Sequence, residues 1–272
     1  MTETFKSSDR VQALGDALLT KGFVIQRCES ESGLLELHSL IIDAANSWLL
    51  EHGHSPIDRL DESHRAISSD IINDVRLHIF ARLNADVTLR QKYYSLASTA
   101  IQSLVGNDLA MQNKVNLSIQ QPNDPTSVLD LHSDVWSGDS PFQVVLWVPL
   151  TDASSTNAMY LLPPNESHEA VRRSRDGEFK SMEDIQRFYQ SSFSSIEVKF
   201  GESLIFDSSC LHGNQLNTTN VSRWSLNCRF ISLMAPAISP ERRLGSYYTP
   251  ILVRPATQMG LRAIAALGIT LS

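Results

Sequence analysis

The chain has 272 residues, 42% of them apolar and 19% charged, the proportions of a folded globular protein and not of a disordered one. Its 23 Lys and Arg against 30 Asp and Glu give a net charge of −7, which offers no electrostatic attraction to nucleic acid or an anionic membrane. Three cysteines with no close pair exclude a disulfide scaffold and a cysteine zinc site, so the eight histidines are the candidate metal ligands.

The first ten residues are polar, and no run reaches the roughly 18 apolar residues of a membrane span. A cytoplasmic protein is therefore expected, without membrane or nucleic-acid partners. Ser8-Asp9 opens a helix through Leu19, with Val11, Leu14 and Leu18 on one face. Apolar spacing predicts further helices over 33–51, stopping at Gly53, over 69–83, and over 86–105, ending at Gly106. Beyond residue 108 the period becomes two: Val115, Leu117 and Ile119 alternate with polar residues in 112–120. Short apolar strands follow at 143–150, 158–162, 196–200, 203–207 and 223–231, separated by turn-forming clusters. A helical insert at about 181–191 and a last helix at 257–267 complete the reading. The expected fold is an all-β core with added helices: a sandwich or jelly roll under a helical N-terminal layer. It is read as one domain, with a mainly helical layer at 1–107, a core at 108–232 carrying a lid-like insert at about 165–193, and an extension at 233–272.

Chemistry concentrates at His132-Ser133-Asp134, which lies between two strands, and at His212, just past the strand Gly201–Asp207. The His-x-Asp pair alone is equally a surface turn in which Asp134 bonds its own backbone. With His212 it supplies two imidazoles and a carboxylate, the set that on one face of an octahedral ion leaves three positions open. A 2-oxo acid chelates two of those, and its far carboxylate then needs a cation. Arg223 begins the next strand, and an arginine fork suits a carboxylate. Along that strand Arg223, Ser225, Asn227 and Arg229 share one face, either a solvated edge or the lining of a cavity.

Four segments, in their order and spacing, resemble the Fe(II)/2-oxoglutarate-dependent dioxygenases of the phytanoyl-CoA dioxygenase-like branch. They are His132-Ser133-Asp134; Leu146 to Ala153; Asn157 to Pro163 with Ser167-His168; and Gly201 to Phe206 followed by His212-Gly213 and Arg223. The resemblance covers about 110–232, with a weaker stretch at Leu18–Ile25. It implies a double-stranded β-helix; Fe(II) held by His132, Asp134 and His212; Arg223, assisted by Ser225, on the distal carboxylate of 2-oxoglutarate; and O2 as co-reactant. Asp134 in place of glycine at the ligand position implies hydroxylation or desaturation, because a halogenase needs that position for halide. Where the family often has Pro-Gly-Ser-His, this chain reads Pro164-Asn165-Glu166-Ser167-His168.

The remaining readings stay open at this level. Asn116 faces the cosubstrate's C1 carboxylate or is ladder-edge polarity. Trp136 is the substrate-wall tryptophan and Trp147 core packing. Arg229, with Asn227 beside it, is an anchor for a polar substrate or part of a structural salt bridge. His168 is a loop histidine. The expected activity is hydroxylation of a small, polar, sugar-like or carboxylated molecule with release of succinate and CO2. A metal-dependent cupin isomerase or epimerase, or a non-catalytic sugar-binding jelly roll, are the alternatives.

Overall fold

A computed structural model describes residues 8–236 and 239–268. The N-terminal part holds α1 (Asp9–Lys21), a short strand β1 (Phe23–Arg27), α2 (Glu31–Glu51), α3 (Ile72–Ala85), α4 (Leu89–Ser95) and α5 (Ser98–Val105). The strands that follow are β2 (Leu109–Gln112), β3 (Asn116–Gln120), β4 (Gln143–Pro149), β5 (Met159–Leu161), β6 (Ser194–Ile196), β7 (Glu202–Asp207), β8 (His212–Asn214), β9 (Arg223–Ser232) and β10 (Tyr248–Leu252). Helices α6 (Pro164–Arg175) and α7 (Met182–Phe188) interrupt them, and α8 (Pro255–Ala266) follows.

The major sheet runs β1-β7-β4-β9-β2-β10, with β3 also paired to β9; the minor sheet runs β6-β5-β8, and every strand pairing is antiparallel. Strand alternation divides the core in two. Leu146, Ile205, Leu226, Cys228 and Phe230 turn outward and pack beneath Leu37, Ile41, Val75 and Ile79 of α2 and α3. Val145, Trp147, Leu204 and Phe206 turn inward against Met159, Leu161 and Ile196 of the minor sheet. Strand β4 is buried on both faces, which explains its unbroken apolar sequence. The polar face of β9 therefore points between the sheets.

Two differences from the sequence reading share one cause, side chains arriving from distant positions. The helix expected over 86–105 breaks at Leu96–Ala97. There Glu29 caps the new start: its carboxylate accepts from Thr99 N at 2.9 Å, Ala100 N at 3.2 Å and Ser98 Oγ at 3.0 Å. The strand expected over 112–120 divides because Asn84 of α3 takes the Val115 backbone, accepting from its N–H at 2.9 Å and donating to its carbonyl at 3.0 Å. The two halves then pair with opposite ends of β9. Strands β1, β8 and β10 and helix α6 also go beyond the sequence reading.

The insert at 165–193 folds as α6 and α7. Its apolar residues Ala170, Ile185 and Tyr189 cluster with Leu131, Leu162 and Leu211. None of its residues lines the central cavity, so it is packed as a buttress behind the histidine-bearing segments and not as a lid.

The helical layer is tied to the sheet by Tyr93, fully buried in α4. Its hydroxyl donates to Leu146 O at 2.8 Å and lies 3.2 Å from Leu226 O, joining β4 and β9. Removing this hydroxyl leaves a small void and a weakened polar contact. Tyr93→Phe is expected to cost about 1–2 kcal/mol, read as a lower urea midpoint at unchanged slope.

Candidate active site

His132 and His212 form an isolated antiparallel bridge between the loop before β4 and strand β8. Each donates its backbone N–H to the other's carbonyl, at 3.0 and 2.9 Å. Residues that exchange both hydrogen bonds project their side chains on the same face, so the two rings emerge together, with centroids 4.3 Å apart. Asp134 follows His132 by two residues and is held by donation of its N–H to Ser208 O at 3.1 Å. Ligand atoms of His132, Asp134 and His212 lie within 4.8 Å of one another.

The approach of these segments depends on Gly213. A Cβ there would lie 2.8 Å from both Leu129 O and the Tyr160 hydroxyl, so a side chain would push the His132 segment away from β8. Ser167, buried in α6, donates to Leu162 O at 2.7 Å and accepts from Leu211 N at 2.9 Å. It fixes the residue before His212. The departure at Pro164–His168 thus becomes the first turn of a helix, and His168 sits on that helix, 3.2 Å from Ser209 Oγ.

The donor set suits a divalent transition metal. Each imidazole gives its Nδ1–H to the carbonyl two residues back, Asp130 O at 2.7 Å and Cys210 O at 2.9 Å. That fixes the tautomer and leaves both Nε2 lone pairs facing Asp134. Burial lowers the His212 pKa to about 4, so this ring is neutral. Burial pushes the Asp134 carboxyl up, but the His132 ring 3.7 Å away and the charge of Arg229 outweigh it and hold the group at about 2. Burial lowers His132 as well, yet its contacts with Asp134 and Asp130 O outweigh it and raise this ring above its ordinary value.

The cavity beside this triad has a volume of about 620 Å³. Arg223, only 3% exposed, stands on its wall, 5.6 Å from the Trp147 ring centroid. Its Nη1 points to Ser225 Oγ at 3.5 Å, its Nε has no hydrogen-bond partner, and it makes no ion pair among the described residues. Burial pushes its pKa down to about 10. A buried guanidinium without a counter-ion is costly, and one facing a cavity is matched to a ligand carboxylate. The residues present therefore fit a chelating 2-oxo diacid between the triad and Arg223.

The other expected residues separate. Asn116 and Asn227 face each other in register on β3 and β9, Asn116 Nδ2 donating to Asn227 Oδ1 at 3.1 Å, and both line the cavity. Arg229 also reaches the cavity but is already engaged by carboxylates, Asp134 at 2.8 Å and Asp139 at 2.9 Å; of its two sequence readings, the salt bridge is the one observed. Trp136 lies on a 3-10 turn, 46% exposed and away from the cavity lining, whereas Trp147 lines it. The cause is the tight turn Asp134–Ser137, which directs position 136 outward.

One wall was not anticipated: Ile72, Asn73 and Arg76 of α3 close the cavity from the helical layer. Arg76 donates to Asn73 Oδ1 at 2.9 Å and pairs with no carboxylate among the described residues. Helical periodicity predicts α3 but carries no signal that its first turns flank a cavity in the sheets.

A family model described as phytanoyl-CoA dioxygenase (PhyH) matches residues 50–225. No curated protein sequence matches the chain. Among solved structures, a nickel complex of the non-heme monooxygenase ThoJ aligns over 93% of this chain and 94% of its own, at 17% identity and a TM-score of 0.53. HygX from Streptomyces hygroscopicus, with nickel and 2-oxoglutarate bound, aligns over 91% and 98%, at 16% identity and a TM-score of 0.51. AviO1 from Streptomyces viridochromogenes Tue57 aligns over 86% and 100%, at 14% identity and a TM-score of 0.54. At these identities the likeness is one of fold.

Proposed function

The chain belongs to the phytanoyl-CoA dioxygenase family and is an Fe(II)- and 2-oxoglutarate-dependent dioxygenase; from that premise we propose that it hydroxylates a small polar molecule, with release of succinate and CO2. The observation that carries the reading is Arg223, a buried cation without a counter-ion among the described residues, sharing a cavity with the two-histidine, one-carboxylate cluster. A sugar-binding module or a cupin isomerase gives no reason for such a residue.

We assign His132, Asp134 and His212 as the iron ligands, the imidazoles binding through Nε2. Bound iron supplies the activation of O2, coupled to oxidative decarboxylation of the cosubstrate. Arg223 holds the distal carboxylate of 2-oxoglutarate, with Ser225 orienting the guanidinium. Asn116 retains an amide hydrogen beyond its bond to Asn227, and we assign that hydrogen to the C1 carboxylate. Val145, Trp147 and Phe206 supply apolar wall around the reacting centre and limit water there.

We assign the substrate to the side of the cavity walled by α3. With Arg229 engaged, Arg76 is the cavity cation left to meet it, assisted by Asn73 and the free amide of Asn227. This favours a substrate with a carboxylate or a dense set of hydroxyls. The test is a screen of small carboxylated and polyhydroxylated metabolites for substrate-stimulated succinate release. If no such compound stimulates turnover and apolar acyl compounds do, the polar-substrate reading fails. With a substrate in hand, Arg76→Ala is expected to raise its KM about tenfold, leaving the KM for 2-oxoglutarate unchanged.

A further inference from the structure

Arg229 treats the two oxygens of Asp134 differently. Asp134 Oδ1 faces the triad, 3.7 Å from His132 Nε2 and 3.9 Å from His212 Nε2. Asp134 Oδ2 is turned away and accepts from Arg229 Nη2 at 2.8 Å. Arg229 is itself held from two further sides. Its Nη1 donates to Gln112 Oε1 at 3.2 Å, and its Nε lies 2.9 Å from Asp139 Oδ2. Asp139, 1% exposed, meets Arg242 Nη1 at 3.4 Å through its other oxygen. Two carboxylates thus alternate with two guanidinium groups, so the ladder carries no net charge into the interior. It runs from the segment after β9, through Asp139, to the metal-facing carboxylate.

We propose that Arg229 is a positioning residue that confines Asp134 to binding the metal through one oxygen, with Asp139 and Arg242 fixing Arg229 for that task. A carboxylate left free at both oxygens can chelate an ion and take a second coordination position. The chelating cosubstrate and O2 need three open positions, so that second oxygen competes with them. Arginine suits the role because its planar fork engages Asp134, Asp139 and Gln112 at once, which a lysine point charge does not. The proposal rests on His132, Asp134 and His212 being the metal ligands.

Co(II) serves as a spectroscopic probe of coordination. Metal-free wild type, His212→Ala, Arg229→Gln, Arg229→Lys and Asp139→Asn are loaded with Co(II), their visible spectra recorded, and 2-oxoglutarate binding measured by calorimetry. His212→Ala is expected to lose Co(II) binding; undiminished binding there sinks the ligand assignment, whatever happens at Arg229. Arg229→Gln is expected to bind Co(II) with altered visible bands and to bind 2-oxoglutarate about 10–100-fold more weakly, the usual size of an outer-partner effect. Asp139→Asn leaves all three ligands and Arg229 in place, and is expected to shift both readouts in the same direction by less. Arg229→Lys is expected to recover only part of the loss. Wild-type bands and wild-type 2-oxoglutarate affinity in a folded Arg229→Gln overturn the proposal. Should that variant fail to fold, the same unchanged pair of readouts in Asp139→Asn overturns it.

Discussion

Arg223→Met is expected to make the cosubstrate-free protein more stable and to disable its use of 2-oxoglutarate. The guanidinium is buried with an unpaired Nε and no ion pair among the described residues, so the free protein bears a desolvation cost that methionine, of similar length, does not. A gain of about 1–3 kcal/mol in unfolding free energy is expected from the apolar replacement. In the role proposed for it the same guanidinium would meet a carboxylate in a desolvated setting, and truncating such a pair costs about 2–5 kcal/mol. The KM for 2-oxoglutarate is therefore expected to rise by about a hundredfold or more. Thermal melts separate the two effects. 2-Oxoglutarate at a concentration that just saturates the wild type, with a redox-inert divalent metal present, raises the wild-type midpoint by mass action and scarcely moves that of the variant. A variant less stable than wild type without cosubstrate, yet still shifted by it, would show that Arg223 has a structural role instead.

His132→Ala and His212→Ala are each expected to abolish iron-dependent succinate formation, including the uncoupled reaction without substrate. Three ligands are the minimum set here, and losing one leaves an imidazole and a carboxylate, too few to hold the ion at working concentrations. The backbone bridge between these positions uses only N–H and carbonyl groups, so alanine preserves it and the fold is expected to persist. Circular dichroism alongside metal analysis and a succinate assay checks all three points. Full uncoupled turnover in both variants would refute the ligand assignment.

Much of this arrangement was legible before any coordinates, for a definite reason. In β9 the period-two pattern alone places Arg223, Ser225, Asn227 and Arg229 on one face, and the structure turns that face inward because Leu226, Cys228 and Phe230 are claimed by the helical layer. The chemistry-bearing histidines and Asp134 are recognisable by type and order. Their union is less so: it depends on an eighty-residue return from position 132 to 212 and on the backbone exchange between them. What escaped the sequence reading is mostly long-range. Glu29 capping a helix some seventy residues on, and Asn84 taking the backbone of Val115, leave no local periodic trace. Arg229 had two readings, and the placement of Asp134 and Asp139 beside it selects one. Arg76 lies in a stretch whose pattern reports a helix and nothing about the cavity it walls.

The reciprocal bridge between His132 and His212 has a consequence for the supply of metal. Because peptide groups set the spacing of the rings, the assigned site is expected to be in place before any ion arrives, with folding independent of loading. A preformed pair of imidazoles with one carboxylate also has little means of preferring iron. First-row affinities for such a donor set rise from Fe(II) through Co(II) and Ni(II) to Cu(II), with Zn(II) also binding strongly. The ion carried is accordingly decided by what the surroundings offer during and after synthesis. Protein made where iron is scarce should emerge folded, stable and inactive, filled with a competitor, and recover activity once that ion is stripped and Fe(II) supplied without oxygen.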